Sequence, residues 1–355
     1  MQIWRRFFLP FSPFYELIIR LRNILFDKGI LKSEKFDLPI IAIGNLTTGG
    51  TGKTPHIEYL IRLLKPSKKI ATLSRGYGRI TKGFMIVPDN PSTKMVGDEP
   101  MQYHLKFKDI TVAVCEDRAE GIKQLMQRTN RPQVIMLDDA FQHRTVTPGL
   151  NILLLEYDNI FKKDFLLPGG NLREPLSSKK RADIIIISKS PSILVSIEKK
   201  RILEKLKADE HQHVFFSFIR YGDFYKVFGQ QSPMLMGAGY YLEKRFTILL
   251  VTGIANPSGL IEYLRRHTDK LETLIFPDHH EFSNKDVGEV REKFDAIVNT
   301  SKIIVTTEKD AMRLQNPELD PSLQKLPIFF IPIEIMIHQD GEKLNQLIEN
   351  YVRKN

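Results

Sequence analysis

The chain predicts an α/β protein with a mostly parallel sheet, a smaller second α/β lobe and an N-terminal amphipathic helix. Short β-branched runs alternate with helical patterns over most of its 355 residues, and this alternation builds parallel sheets with helices on both faces. The apolar run Ile40-Ile41-Ala42-Ile43 leads through a glycine-rich turn into Gly52-Lys53-Thr54 and then a helical pattern. A second run, Val134-Ile135-Met136-Leu137, ends in the carboxylates Asp138 and Asp139.

The first element is 1–31, rich in Phe, Ile and Leu with arginines interspersed. Phe14, Leu17, Ile18, Leu21 and Leu25 recur at helical spacing, opposite Glu16, Arg20, Asn23 and Asp27. No uninterrupted apolar stretch approaches the ~20 residues of a spanning helix, and a signal-peptide cleavage pattern is missing. The periodicity fits a helix lying in a membrane interface and equally one packed on its own protein's core.

Residues 44–54 read as a P-loop, which makes 32–213 a P-loop NTPase core. Thr47, Thr48, Gly49, Gly50, Thr51 and Gly52 form the turn, where glycines let backbone N–H groups approach a polyphosphate. Lys53 suits phosphate oxygens, and the Thr54 hydroxyl suits Mg²⁺. The strict pattern asks for glycine at 47, where this chain has Thr47. Pro55 is compatible with a first helical turn. Further strands are expected at 69–73, 110–115, 134–137, 151–155 and 183–187, and helices after Gly97 and over 118–128. Segments 215–220 and 224–228 read as a hairpin within a linker at 214–245. A second lobe over 246–355 has strands near 246–252, 273–276, 303–306 and 328–331.

Composition sets outer limits. With 42% hydrophobic and 26% charged residues the chain is an ordinary globular protein. A single cysteine, Cys115 in an apolar run, excludes an internal disulfide framework and reads as a core residue. The net charge of +10 and pI near 9.4 call for an anionic partner. No zinc-finger, RNA-recognition or helix-turn-helix signature accompanies that charge, so nucleic acid is not expected.

Several polar clusters sit where strands of such a sheet end, which is where its chemistry collects. Asp138 and Asp139 have the form of a Walker B element, whose Asp holds Mg²⁺ against nucleotide phosphates. Asp98 and Glu99 follow Gly97 and leave two readings open: a proton acceptor for an attacking hydroxyl, or a helix cap. Asp278-His279-His280 joins a carboxylate to imidazoles, without further metal ligands at a recognisable spacing. Arg75 and Arg173 sit on glycine-rich loops and suit phosphate oxygens.

Together these motifs resemble one family, the tetraacyldisaccharide 4′-kinases of lipid A biosynthesis. The resemblance runs through Gly-Gly-Thr-Gly-Lys-Thr-Pro at 49–55, Ser-Arg-Gly-Tyr-Gly at 74–78, Gly-Asp-Glu at 97–99 and Asp-Asp-x-Phe-Gln-His at 138–143. It continues through Pro-Gly-Gly-x-Leu-Arg-Glu-Pro at 168–175, Gly-Ile-Ala-Asn-Pro at 253–257, Phe-x-Asp-His at 276–279 and Thr-Glu-Lys-Asp-Ala at 307–311. Ala140 departs from it, where glycine is expected after the acidic pair.

The resemblance implies an ATP- and Mg²⁺-dependent kinase that phosphorylates the 4′-hydroxyl of a lipid A disaccharide 1-phosphate. It implies a monotopic or peripheral place on the cytoplasmic face of the bacterial inner membrane, against an anionic surface. By the same resemblance Lys53 and Thr54 bind phosphate and metal, and Asp98 is the base, assisted by His279 of the second lobe. Asp138 and Asp139 serve metal and water positioning, and Arg173 and Glu174 lie near the phosphates. The rival reading is a P-loop GTPase or metallochaperone. It needs an Asn/Thr-Lys-x-Asp guanine motif, which Thr307-Glu308-Lys309-Asp310 imitates only in the second lobe. A non-enzymatic membrane-binding protein leaves the P-loop and both acidic motifs unexplained.

Overall fold

The computed structural model describes residues 3–229, 238–268, 270–278 and 280–355. Its strands are β1 (Ile40–Asn45), β2 (Ile70–Ser74), β3 (Met85–Ile86), β4 (Thr111–Val114), β5 (Val134–Leu137), β6 (Leu150–Glu156), β7 (Ile184–Ser188), β8 (His213–Tyr221), β9 (Tyr225–Lys226), β10 (Thr247–Thr252), β11 (Leu271–Ile275), β12 (Lys302–Thr307), β13 (Ile328–Ile331) and β14 (Ile333–Ile337). The helices are α1 (Ser12–Asp27), α2 (Lys53–Leu64), α3 (Thr93–Val96), α4 (Asp98–Lys106), α5 (Arg118–Met126), α6 (Ser196–Leu206), α7 (Ala238–Glu243), α8 (Ser258–Arg265), α9 (Asn284–Ala296), α10 (Glu308–Leu314) and α11 (Gly341–Lys354).

The chain forms two compact units. The first runs to Ile219 and resumes over Ile335–Asn355; the second is Arg220–Glu334. The first holds a sheet ordered β14-β8-β7-β6-β1-β5-β2-β4-β3. From β8 through β4 the described pairings are parallel, and β3 is an antiparallel edge. Strand β1 is apolar without alternation because both faces are covered. Ile41 and Ile43 face Ile57, Leu60 and Ile61 of α2 and Leu344 and Ile348 of α11. Ile40 and Ala42 face Ile122 and Leu125 of α5.

Parallel pairing brings the C-terminal ends of β1, β2, β5 and β7 to one edge, which carries the 46–52 turn, the 75–78 loop, Asp138 and Asp139, and Lys189. A buried carboxylate fixes the helices behind this edge. Glu58 of α2 accepts from Gln102 Nε2 of α4 (2.8 Å) and pairs with Arg62 Nη2 (3.1 Å) and Lys106 Nζ (2.8 Å). Leaving such a carboxylate unpaired costs on the order of 3–5 kcal/mol, so α2 and α4 hold a set relation.

The second unit has a sheet ordered β11-β10-β12-β13-β9, parallel except for β9. Its 253–257 and 307–311 motifs meet at Asp310, which is fully buried. That carboxylate accepts from Thr252 Oγ1 (2.8 Å), the Gly253 amide (3.0 Å), Thr307 Oγ1 (2.7 Å) and Arg313 Nη1 (3.1 Å).

Three expectations differ from this architecture. The segment 215–220 is not half of a hairpin: it lies in β8, in parallel register with β7, because Phe215 and Phe216 complete the first core. Segment 224–228 contributes β9, which pairs with β13. The end of the chain leaves the second lobe, since Leu344, Ile348 and Val352 of α11 are buried in the first core. The second unit is therefore an insertion at 220–334 rather than the 246–355 half expected after a 214–245 linker.

Helix α1 turns its apolar stripe outward. Phe14, Leu17 and Ile18 are 69%, 66% and 64% exposed, while Ser12 and Ile19 are buried. Leu25, assigned to the same stripe, is half-buried. No described helix is long and apolar enough to cross a membrane.

Gly44 tests how tightly the edge is built. A Cβ there would lie 2.6 Å from Phe141 Cβ and 2.7 Å from the Phe141 amide nitrogen. Gly44→Ala is expected to destabilise the protein by about 1–3 kcal/mol through overpacking. Chemical denaturation reads this; an unchanged midpoint and slope would show that the 141 turn yields freely.

Candidate active site

The turn after β1 takes its shape from glycine. Gly49 has φ +111° and Gly52 φ +89°, a region that side chains disfavour. Gly52 caps α2, so the helix begins at Lys53 with its free N–H groups toward the turn. His56 locks that start from behind. Its ring bonds Gly52 O through Nδ1 (2.7 Å) and Ser217 Oγ through Nε2 (2.9 Å). Burial lowers its pKa to about 4, which keeps it neutral.

A second loop is sewn to the turn. Thr47 bridges Leu172 in antiparallel fashion, the Thr48 amide donates to Asn171 O (2.7 Å), and the Arg173 amide donates to Leu46 O (2.7 Å). Thr47 is absent from the positive-φ residues, so this backbone does not require the glycine of the strict pattern.

Asp139 carries the charge centre. Arg173 Nη1 donates to both of its oxygens (3.0 and 2.9 Å), and Lys53 Nζ lies 3.4 Å from Oδ1. Lys53 also donates to Asn45 Oδ1 (3.3 Å). Burial pushes the Asp139 carboxyl upward, but Lys53 and Arg173 outweigh it and hold the pKa below the usual range. Asp139 adopts φ +49°, a conformation that aspartate tolerates better than most residues. The left-handed residue of this turn is thus Asp139, and Ala140, with no positive φ, fits where glycine was expected.

Asp138 has the opposite environment. It is buried, with its pKa raised to about 6 by burial and by Glu99 and Asp139, against the pull of Lys53. Oδ2 accepts from Tyr103 Oη (3.0 Å), and Oδ1 has no hydrogen-bond partner. Tyr103 of α4 also bonds the side chain of Thr54. One tyrosine therefore groups Thr54 with Asp138, the two residues expected at a metal.

Asp98 is half-buried at the first position of α4. Gly97 is the cap, with φ +91°, and a Cβ there would crowd Tyr77 O at 3.0 Å. Gly97 thus holds the cap position, and Asp98 falls in the first turn of α4. Its neighbour Glu99 contributes to the field at both Asp138 and Tyr103, which puts the start of α4 beside the strand-end acids.

Glu174 is fully buried and paired with Arg181 Nη2. His143 is kept neutral, its pKa lowered to about 4 by burial and then by Arg118 and Arg75. His279 lies outside the described residues. Its neighbour His280 bonds Asp286 Oδ2 (3.1 Å) through Nε2 and stacks on Phe276. Among the described residues no group of three or more His, Cys, Asp or Glu could hold a metal by itself; Mg²⁺ sites built on one or two carboxylates plus substrate phosphates need no such group. Gln142, part of the 138–143 motif, donates through Nε2 to Asn45 O (2.7 Å), whereas Tyr103 and His56 were not expected as parts of this edge.

Comparison with known proteins identifies the family. A family model described as tetraacyldisaccharide-1-P 4′-kinase matches residues 4–353. The tetraacyldisaccharide 4′-kinase of Bacteroides thetaiotaomicron is 44% identical over 353 residues, covering 98% of this chain and 93% of the relative. That of Flavobacterium johnsoniae is 43% identical over 355 residues, covering 100% and 99%. The crystal structure of LpxK from Aquifex aeolicus in complex with ATP superposes with a TM-score of 0.73 at 32% identity, covering 99% of this chain and all of that one. The chain belongs to the tetraacyldisaccharide 4′-kinase family.

Proposed function

We propose that this protein transfers the γ-phosphoryl group of ATP to the 4′-hydroxyl of a tetraacyldisaccharide 1-phosphate at a membrane surface. The observation that carries this reading is the meeting of Lys53 and Arg173 on Asp139, beside the glycine turn at the head of α2. Two cations held over a helix N-terminus form a site for a polyphosphate.

Phosphoryl transfer asks the protein for position and charge neutralisation. Residues 47–52 supply backbone donors, and Lys53 and Arg173 supply positive charge for the phosphoryl oxygens. Asp98 takes the proton from the sugar hydroxyl as the new O–P bond forms and the bond to the ADP oxygen breaks. His279 is assigned to assist Asp98 on its motif alone. Thr54 and the unpartnered Asp138 Oδ1 suit Mg²⁺, which when bound neutralises phosphate charge. The GTPase reading has no support at this edge, because the guanine-like Thr307-Glu308-Lys309-Asp310 belongs to the second unit and its Asp310 is engaged in a buried network.

The outward apolar stripe of α1 and the net charge of +10 favour peripheral binding to an anionic leaflet as the macromolecular contact. Since ATP is the donor, the cytoplasmic face of the inner membrane is the site we assign.

The reading is tested by incubating the protein with Mg-ATP and detergent-solubilised tetraacyldisaccharide 1-phosphate, with GTP in parallel. A 4′-phosphorylated product from ATP is expected; GTP consumption indifferent to the acceptor would overturn it. Asp98→Ala should lower kcat by roughly 10²–10⁴, and His279→Ala should also lower kcat, both with ATP affinity retained. Turnover within a few-fold of wild type would remove either residue from its role.

The raised pKa of Asp138 has a definite sign. Its folded value of about 6 lies above the ~3.9 of an unfolded aspartate, so its contribution to stability is lost as pH rises between them. Mg²⁺ competes with that proton. Thermal stabilisation by Mg-ATP is expected to weaken as pH falls through about 6, and Asp138→Asn to abolish this dependence. The same slope in the variant would place the titration elsewhere.

For membrane contact, Leu17→Ser with Ile18→Ser should reduce co-sedimentation with vesicles containing an anionic phospholipid while the melting temperature holds. Undiminished binding would locate the contact on another surface.

A further inference from the structure

The inner edge of α1 is built against the two loops that frame the phosphate site. Arg22 Nη2 donates to the carbonyl of Gln142, and the Gln142 side chain donates onward to Asn45 O (2.7 Å). Asn45 is the residue whose Oδ1 receives Lys53 Nζ (3.3 Å). The same Arg22 nitrogen lies 4.0 Å from Glu174 Oε1, an oxygen of a fully buried carboxylate that has no hydrogen-bond donor of its own. About two helical turns earlier, Tyr15 Oη donates to the carbonyl of Arg173 (3.1 Å), whose guanidinium holds Asp139.

The ends of this edge are fixed as well. Ser12 Oγ donates to Leu166 O (2.8 Å) and accepts from the Gly169 amide (3.1 Å). Arg144 donates to Asn23 O (2.9 Å) and to Asp27 Oδ1 (2.6 Å). The helix therefore has separate duties on its two sides. Its outer side is apolar and exposed, and its inner side is polar and bonded to the 141–144 and 165–174 loops.

The geometry points to Arg22 as a positioning residue for phosphoryl transfer, acting through Gln142 and Glu174 on Lys53 and Arg173, with Tyr15 supporting it. The inference rests on the kinase reading above and adds that α1 is part of the catalytic frame as well as a membrane contact. Arg22 bridges a carbonyl on one loop and a buried carboxylate on the other. Losing it removes one of the two donors to the Gln142 carbonyl, the other being the Arg144 amide (3.1 Å), and leaves Glu174 Oε1 without its nearby cation, so the lysine and arginine over the phosphates lose register.

The test uses the full chain, as wild type, Arg22→Ala, Arg22→Lys and Tyr15→Phe. Each is assayed with Mg-ATP and tetraacyldisaccharide 1-phosphate in detergent micelles, where docking to a bilayer is not needed. Melting and co-sedimentation with anionic vesicles are measured alongside. Arg22→Ala is expected to lower kcat about tenfold, with KM for the lipid acceptor and vesicle binding near wild type, and Arg22→Lys to recover most of the loss. Unchanged kcat in folded Arg22→Ala would overturn the inference, as would a loss seen only in vesicle binding or KM for the acceptor. If Arg22→Ala does not fold, Tyr15→Phe decides: a several-fold fall in kcat without a fall in melting temperature supports the coupling, and wild-type kcat refutes it. Absence of acceptor phosphorylation by the wild-type protein would refute the kinase reading itself.

Discussion

The organisation of the first unit depends on the Asp139 carboxylate, placed at the end of a buried parallel strand and held by two cations from different segments. Lys53 arrives on the first turn of α2 and Arg173 on the loop sewn to residues 46–48. A half-buried carboxylate loses part of its hydration, and the two cations offset that loss. Its compensation draws the P-loop, the β5 end and the 165–174 loop together. What results is Lys53 and Arg173 gathered at one carboxylate beside the glycine turn.

Asp138 and Asp139 are adjacent, yet their environments drive them apart. Burial and the neighbouring acids raise the first to about 6, while Lys53 and Arg173 depress the second. Such division suits the first to the cation site proposed above and makes the second a counter-ion to Lys53 and Arg173. Tyr103 enforces it, since its hydroxyl bonds one oxygen of Asp138 and leaves the other open.

Much of this was legible in the sequence because it is local. The strand-turn-helix at 40–54 and the acidic end of β5 are contiguous patterns, and their backbone geometry follows from residue type. Even the two departures resolve locally: Thr47 occupies ordinary backbone and pairs with Leu172, and the left-handed position falls at Asp139, so Ala140 is accommodated. The unread parts are contacts between distant segments. Tyr103 meets Asp138 across 35 residues, Arg22 meets Gln142 across 120, and His56 meets Ser217 across 161. Periodicity placed α1 but could not say which side faces outward, since an amphipathic stripe has the same spacing on a core and on a membrane. The domain boundaries failed for a related reason: nothing local in 341–354 announces that α11 returns to the first core.

The structure of this protein with Mg²⁺ and a non-hydrolysable ATP analogue is the most direct test of the phosphate site. The phosphate chain is expected over residues 47–54, with Lys53 and Arg173 turned from Asp139 toward phosphate oxygens and Asp138 Oδ1 facing the metal. A nucleotide bound elsewhere, with the Lys53–Asp139 and Arg173–Asp139 pairs undisturbed, would contradict it.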